Sequence, residues 1–454
     1  MFVRVHPWPI LLLLVLSLFL AGVFAQSPVH KRKKIKNFGS SLKRLKWDPQ
    51  KNSAIATADP DNVKRNSGEE DVVRIETSLV TSEVLVLDRQ GRNISGLSAT
   101  DFVVTEDGEM QRVGHFLLGD NVSVPRTIVL IIDYSGSQIP YLRNSVDAAK
   151  VLVDKLGPLD RMAIVTDDVE MLVYFTADKD KLKKKLESLI ERTRYHRGFL
   201  DLEGGVRYGR SKQYSALMAT LNEAFEHEDI RPIIVFQTDG DEAYFLRNPI
   251  IGLTVAPNLP PGERENAERE VVRRQQILQD TIREFSLEDV YRAAERSRAT
   301  IYTIVPGTKL LGFTTGEQVE RIKAAEELRW VEILAALPPE KRAQVKAREE
   351  ENSRQIPDST RKWFAGETLK IQSALSVVAT LTGGWTEFLE TPSQASEIYS
   401  RIFSDINQRY LIGYYPTNKE HDGKRRRIDF SVKGHPDYQI LGRRSYFAPG
   451  PTTP

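Results

Sequence analysis

The chain reads as an α/β protein: a mostly parallel sheet with helices on both faces, flanked in sequence by short antiparallel strands. Three observations predict this. Apolar runs at 128–132 and 233–236 are near-continuous, as in strands buried on both faces. Segments with helical spacing separate them, as in Leu142, Val146, Ala149 and Leu152. Residues 72–118 and 410–447 instead alternate and carry turn signals.

At 454 residues the chain exceeds one compact core, so two or three domains are expected. The 64 basic and 62 acidic residues leave a net charge of +2, which gives no general push towards nucleic acid. The five tryptophans form no stacking series, which also argues against a nucleic-acid partner. Cysteine is absent, so disulfides and thiolate metal sites are excluded.

Arg4 and His6 precede an apolar run at 10–21 and then Val23-Phe24-Ala25. This predicts a signal peptide over 1–25, cleaved near Ala25, and export to the periplasm or beyond. No other segment approaches spanning length, so the mature chain is expected to have no membrane span. Residues 26–71 are polar, with basic runs at 31–34 and 43–46, and read as a flexible linker. Its charge suits surface association with anionic lipid or polymer.

Residues 72–120 are expected to be β, with Asp107-Gly108 turning a hairpin. Residues 124–407 alternate strand and helix. Strands are expected at 127–132, 162–165, 171–175, 233–236, 301–305 and 384–389, with helices between and after them, the last at 370–381 and 393–406. Segments 243–285 and 307–369 are charged, contain Pro260-Pro261 and Pro338-Pro339, and read as insertions. Both follow strands, so their roots lie at the sheet's carboxyl edge, where a rim selecting a ligand would stand. Residues 408–447 return to β. The two flanks are expected to pair into one small β-sandwich-like domain, with the α/β domain inserted between them.

The chemistry concentrates in Asp133-Tyr134-Ser135-Gly136-Ser137, directly after a buried strand. One carboxylate and two hydroxyls at alternate positions make hard oxygen ligands, suited to Mg²⁺, Mn²⁺ or Ca²⁺ rather than zinc. The run stands where open α/β sheets bind ligands. Thr238-Asp239-Gly240 ends a second buried strand and supplies another carboxylate. Alone, either run also fits a helix cap or a turn. Together they describe a cation site. No histidine lies beside either motif, and no Gly-x-Ser-x-Gly, His-Glu-x-x-His or phosphate-loop motif is present. The chain is therefore not expected to be an enzyme. A metal-dependent hydrolase and a structural or assembly protein with a vestigial metal site are the alternatives.

These motifs resemble the von Willebrand factor A domain family and its metal-ion-dependent adhesion site. Gly96-Leu97, Asp101-Phe102, Glu106-Asp107-Gly108, Tyr410-Leu411-Ile412-Gly413-Tyr414 and Arg443-Arg444-Ser445-Tyr446-Phe447 extend the likeness. They are similar to the flanks of exported bacterial proteins of that family, of the acidobacterial type. The resemblance implies Asp133, Ser135 and Ser137 as ligands from one loop and Asp239 from another. It also implies that Ser211 stands where the family has a threonine. It implies a divalent cation, Mg²⁺ first, with Mn²⁺ and Ca²⁺ as alternatives. The implied partner is a protein presenting an exposed Asp or Glu carboxylate, and the implied role is metal-dependent binding or adhesion outside the cytoplasm.

Overall fold

The computed structural model of the protein describes residues 37–48, 53–56, 79–118, 124–135, 138–197, 212–226, 231–240, 285–336 and 358–450, with isolated positions 242, 262, 265, 269 and 342. The signal-peptide reading falls outside them, as does nearly all of insertion 243–285. Among the described residues no helix is long and apolar enough to cross a membrane.

Two short strands, β1 (Leu45–Asp48) and β2 (Ser53–Ala56), pair with each other. The central sheet begins with β7 (Arg126–Ile132), after β3 (Val80–Leu87), β4 (Phe102–Glu106), β5 (Glu109–Gln111) and β6 (Val113–Leu118). It continues with β8 (Arg161–Thr166), β9 (Met171–Thr176), β10 (Arg231–Gln237), β11 (Thr300–Pro306) and β12 (Thr386–Leu389), in the order β12-β11-β10-β7-β8-β9. Five strands run parallel, and only β9 is antiparallel to its neighbour. β7, β10 and β11 are buried at every position. That burial explains why their sequences read as unbroken apolar runs.

Helices cover both faces. On one face α1 (Ile139–Asp154) and α2 (Lys179–Arg197) join a later helix, α7 (Ala395–Gln408), over Ile128, Leu130 and Ile132. On the other, α3 (Gln213–Glu223), α4 (Leu287–Arg296) and α6 (Asp358–Leu381) cover Val129, Ile131, Ile234 and Phe236. Each such fully buried side chain contributes about 1.5–3 kcal/mol by the hydrophobic effect.

The flanks form two four-stranded antiparallel sheets, β15-β3-β13-β6 and β16-β14-β4-β5. The later strands are β13 (Tyr410–Tyr414), β14 (Arg425–Val432), β15 (Gln439–Leu441) and β16 (Ser445–Phe447). β3 pairs with β13, and β4 with β14, so residues before and after the α/β domain build one unit. Val84, Val86, Val104, Tyr410, Ile412 and Ile428 form its apolar interior.

Two stretches carry more structure than their polarity suggests. The described part of 26–71, expected to be a flexible linker, holds local structure. Residues Ser40–Arg44 form a 3-10 turn, Leu42 is buried and Phe38 packs on the α/β core. The Glu223 carboxylate accepts the Gly39 and Ser41 amides at 2.9 and 2.7 Å, so a half-buried acid and two apolar side chains outweigh the local polarity. Residues 358–369, expected to close the second insertion, are helical. Helix α6 runs unbroken from Asp358 to Leu381 and packs against α5 (Thr315–Ala336), with Ile322 and Ala365 buried around Leu310. No proline interrupts 358–381, and Arg361 pairs with Glu326 across the two helices at 3.1 Å.

Candidate metal centre

The site is built by register. Ile132 is opposite Thr166 on one side and Gln237 on the other. The residues that follow, Asp133, Asp167 and Thr238, therefore stand in one row across three parallel strands, with Asp239 one step further. The Asp133 amide continues the ladder by donating to the Gln237 carbonyl at 3.0 Å, and the Thr238 amide donates to Ile304 at 3.0 Å. Each of the three strands is followed by a buried polar residue at the carboxyl edge of the sheet.

Asp133 is 1% exposed. Its Oδ1 accepts the Ser135 amide at 2.9 Å. Its Oδ2 accepts Gln213 Nε2 and the Thr238 hydroxyl, both at 3.0 Å. Gln138 Nε2 donates to Asp239 Oδ2 at 2.8 Å. Burial pushes the Asp133 carboxyl up to about 8, the charges of Asp167 and Asp239 add to this, and the hydrogen bonds from Ser135 oppose it.

Three of the expected residues are thus gathered at one edge: Asp133, Ser135 and Asp239. Ser137 and Ser211 lie outside the described residues. The chain directly after Ser211 is at the same edge, since the Lys212 amide donates to the Asp167 carbonyl at 2.8 Å. Tyr134 packs: it is buried in the core, and its hydroxyl donates to Asp168 Oδ2 at 3.0 Å.

Gly240 is required where it stands. Its φ is +70°, and a Cβ there would meet Ile371 and Leu375 of α6 at 2.8 Å. In sequence this glycine marks only a turn. Asp167, Thr238, Gln138 and Gln213 join the edge in the structure and are not among the residues expected from the sequence. For Asp167 a signal was present: the apolar run at 162–165 also ends in Thr-Asp. The two glutamines lie in helical starts that carry no pattern of their own.

The donors are carboxylate, hydroxyl and amide oxygens, a set that fits a hard divalent cation and no soft one. Gln213 is 1% exposed, and its Oε1 is buried with no hydrogen-bond partner, an oxygen of the kind a cation or its water would satisfy. Among the described residues no three His, Cys, Asp or Glu side chains are grouped closely enough to cage a metal. The acids form a row, with Asp133 between Asp167 and Asp239.

No protein-family profile matches this chain, and no curated protein matches it in sequence. Solved structures similar to it include the vWF domain of the pili tip protein Mfa5 from Porphyromonas gingivalis (14% identity, 63% of this chain, 95% of that one, TM-score 0.28). The open pilus adhesin SpaC from Lactobacillus rhamnosus GG is another (9% identity, 77% of this chain, TM-score 0.30), and this chain spans 48% of its length. A third is manganese-loaded TRAP from Plasmodium vivax (11% identity, 75% of this chain, 97% of that one, TM-score 0.25). Overlaps this shallow carry no argument about ligand or role.

Proposed function

We propose that this chain is an exported, cation-dependent binding protein of the von Willebrand factor A type. Asp133 and Asp239, with the hydroxyls of Ser135, Ser137 and Ser211, hold a divalent cation, Mg²⁺ before Mn²⁺ or Ca²⁺. The cation supplies a Lewis-acidic position to an Asp or Glu of a protein partner. The observation that carries this reading is the juxtaposition of buried Asp133 with Asp239 at the carboxyl edge of adjacent parallel strands. The Ser135 amide, Gln213 and Thr238 on Asp133, and Gln138 on Asp239, hold the carboxylates with amide and hydroxyl donors rather than with a general base, which favours binding over hydrolysis.

Calorimetric titration of wild type and Asp133→Ala with Mg²⁺, Mn²⁺ and Ca²⁺ tests the site. Saturable heat is expected for wild type only; identical heats for both proteins would sink it. A pull-down from the exported fraction, with and without EDTA, tests the partner. A protein retained only without EDTA is the expected result. Export itself predicts a mature chain starting at Gln26, read by N-terminal sequencing.

One observation favours a second reading, a structural or assembly protein with a vestigial site. The Gln138 and Gln213 amides already donate to both carboxylates, so the row has partial compensation without an ion. Under that reading no cation produces saturable heat.

A further inference from the structure

Asp167 is a buried carboxylate at this edge that the proposed ligand set does not use. It is 1% exposed and follows β8 at the position where Asp133 follows β7. Its Oδ1 accepts the Tyr134 amide at 3.3 Å, inside the loop that carries Ser135. Its carbonyl accepts the Lys212 amide, next to Ser211. The turn that holds it is strained: Val169, a β-branched residue, sits at φ +64°. That conformation is held by the Val169 amide on the Thr166 carbonyl at 3.1 Å and by packing against Gly39, where a Cβ would meet the valine at 3.0 Å. A buried acid kept beside two others in a strained turn is costly for the fold alone. The buried Gln213 Oε1 without a partner is an independent sign that the same edge receives something electropositive.

We infer that Asp167 is a third anionic residue of the cation site, acting on the ion through water and through the loop it braces rather than as a direct ligand. This rests on the proposed function and deepens it. With Asp133 and Asp239 ionised around a bound cation, it brings the row to three negative charges, one more than a divalent ion neutralises. Its charge is therefore expected to strengthen cation binding, to favour higher charge at equal size, and to leave the loaded site slightly negative. That residual charge keeps an acidic partner's grip weak and reversible.

The test uses the full-length mature protein, with Ca²⁺ and Tb³⁺ as probes of similar radius and different charge. Terbium emission sensitised by nearby tyrosine reports binding, Ca²⁺ is read by competition, and thermal melting reports the fold. Asp167→Asn keeps an oxygen for the Tyr134 amide and removes the charge. The expected result is a Ca²⁺ affinity lower by about tenfold and a Tb³⁺ affinity lower by more than that, because a charge effect scales with ionic charge. The cation-free variant is expected to melt no lower than wild type, since like-charge repulsion is relieved. Unchanged affinities in Asp167→Asn, with binding lost in Asp133→Ala, overturn this inference and leave the proposed function standing. An equal loss for both ions with a lower melting temperature assigns Asp167 a structural role and also overturns it. No saturable binding by wild type overturns both.

Discussion

Asp133 accepts hydrogen bonds from Ser135, Gln213 and Thr238 and still has two carboxylates for neighbours, whereas Asp160 lies at the opposite end of the same sheet with a cation beside it. Burial raises the Asp160 carboxyl, but hydrogen bonds and charge from Arg126 outweigh it and leave it below the usual carboxylate range. Arg126 Nε donates to both Asp160 oxygens at 3.0 Å, and both side chains are buried. A depressed folded value means that the pair's stabilisation is present above the unfolded value and lost as pH falls through the folded one. Denaturant midpoints at pH 7 and pH 3 are therefore expected to differ more for wild type than for Asp160→Asn. At pH 7 that substitution is expected to cost about 3–5 kcal/mol, because Arg126 is left buried without its partner. At this scale the placement of Asp133 and Asp239 at strand ends was legible, since each follows a long apolar run. Asp167 also follows an apolar run, but a shorter one, and Thr-Asp-Asp before a valine reads as a turn. Arg126 and Asp160 were hidden because nothing local marks a buried ion pair.

Single elements repeat the lesson. Asp107-Gly108 predicted a hairpin, and β4 and β5 pair around it with φ of 49° and 90°, the mirror-image turn that such a dipeptide favours. By contrast, the start of α6 was read as part of an insertion because residues 358–369 are polar. Its buried residues, Ala365 among them, become visible only once α5 is in place beside it. The contact of α6 with Gly240 joins this helix to the loop bearing Asp239. Gly240→Ala is expected to destabilise the protein by about 1–3 kcal/mol, from strain at positive φ plus the close approach to Ile371 and Leu375. It is also expected to weaken cation binding, whereas an alanine at Gly366, which has nothing within 4 Å of its missing Cβ, should do neither. Chemical denaturation and calorimetry of the two variants check both points.

In the whole molecule, the α/β core and the flanking strands are tied by buried charge. Arg231 pairs with Glu83 of β3, and the Thr300 hydroxyl donates to the same carboxylate at 3.3 Å. Arg409, fully buried between α7 and β13, pairs with Asp405 at 3.0 Å and donates to the Gly383 carbonyl at 2.7 Å and the Glu83 carbonyl at 3.3 Å. Removing one partner of such a pair leaves a desolvated charge, so Asp405→Ala is expected to lower stability by about 3–5 kcal/mol. Wild type is expected to unfold in one transition, by circular dichroism and tryptophan fluorescence alike. Two separated transitions would show that these ties are weak. The inserted arrangement itself was legible from the alternation of β, α/β and β patterns along the chain. The arginines that fasten it were not, because a basic residue in sequence gives no hint that it is buried.

The strand before the core and the strand after it are neighbours: Leu118 lies opposite Tyr410 in the β6–β13 pair. That places an order on how the molecule is assembled. In an unfolded chain this pair would have to close a loop of about 290 residues, at a large entropic cost. Once the α/β core has formed, its own two ends already stand a strand's width apart, and the closure is nearly complete before the last strands are made. The core thus serves as the template on which the sandwich's halves meet. Slowing the core's folding should delay the pairing of β6 with β13, while leaving the local β4–β5 hairpin untouched.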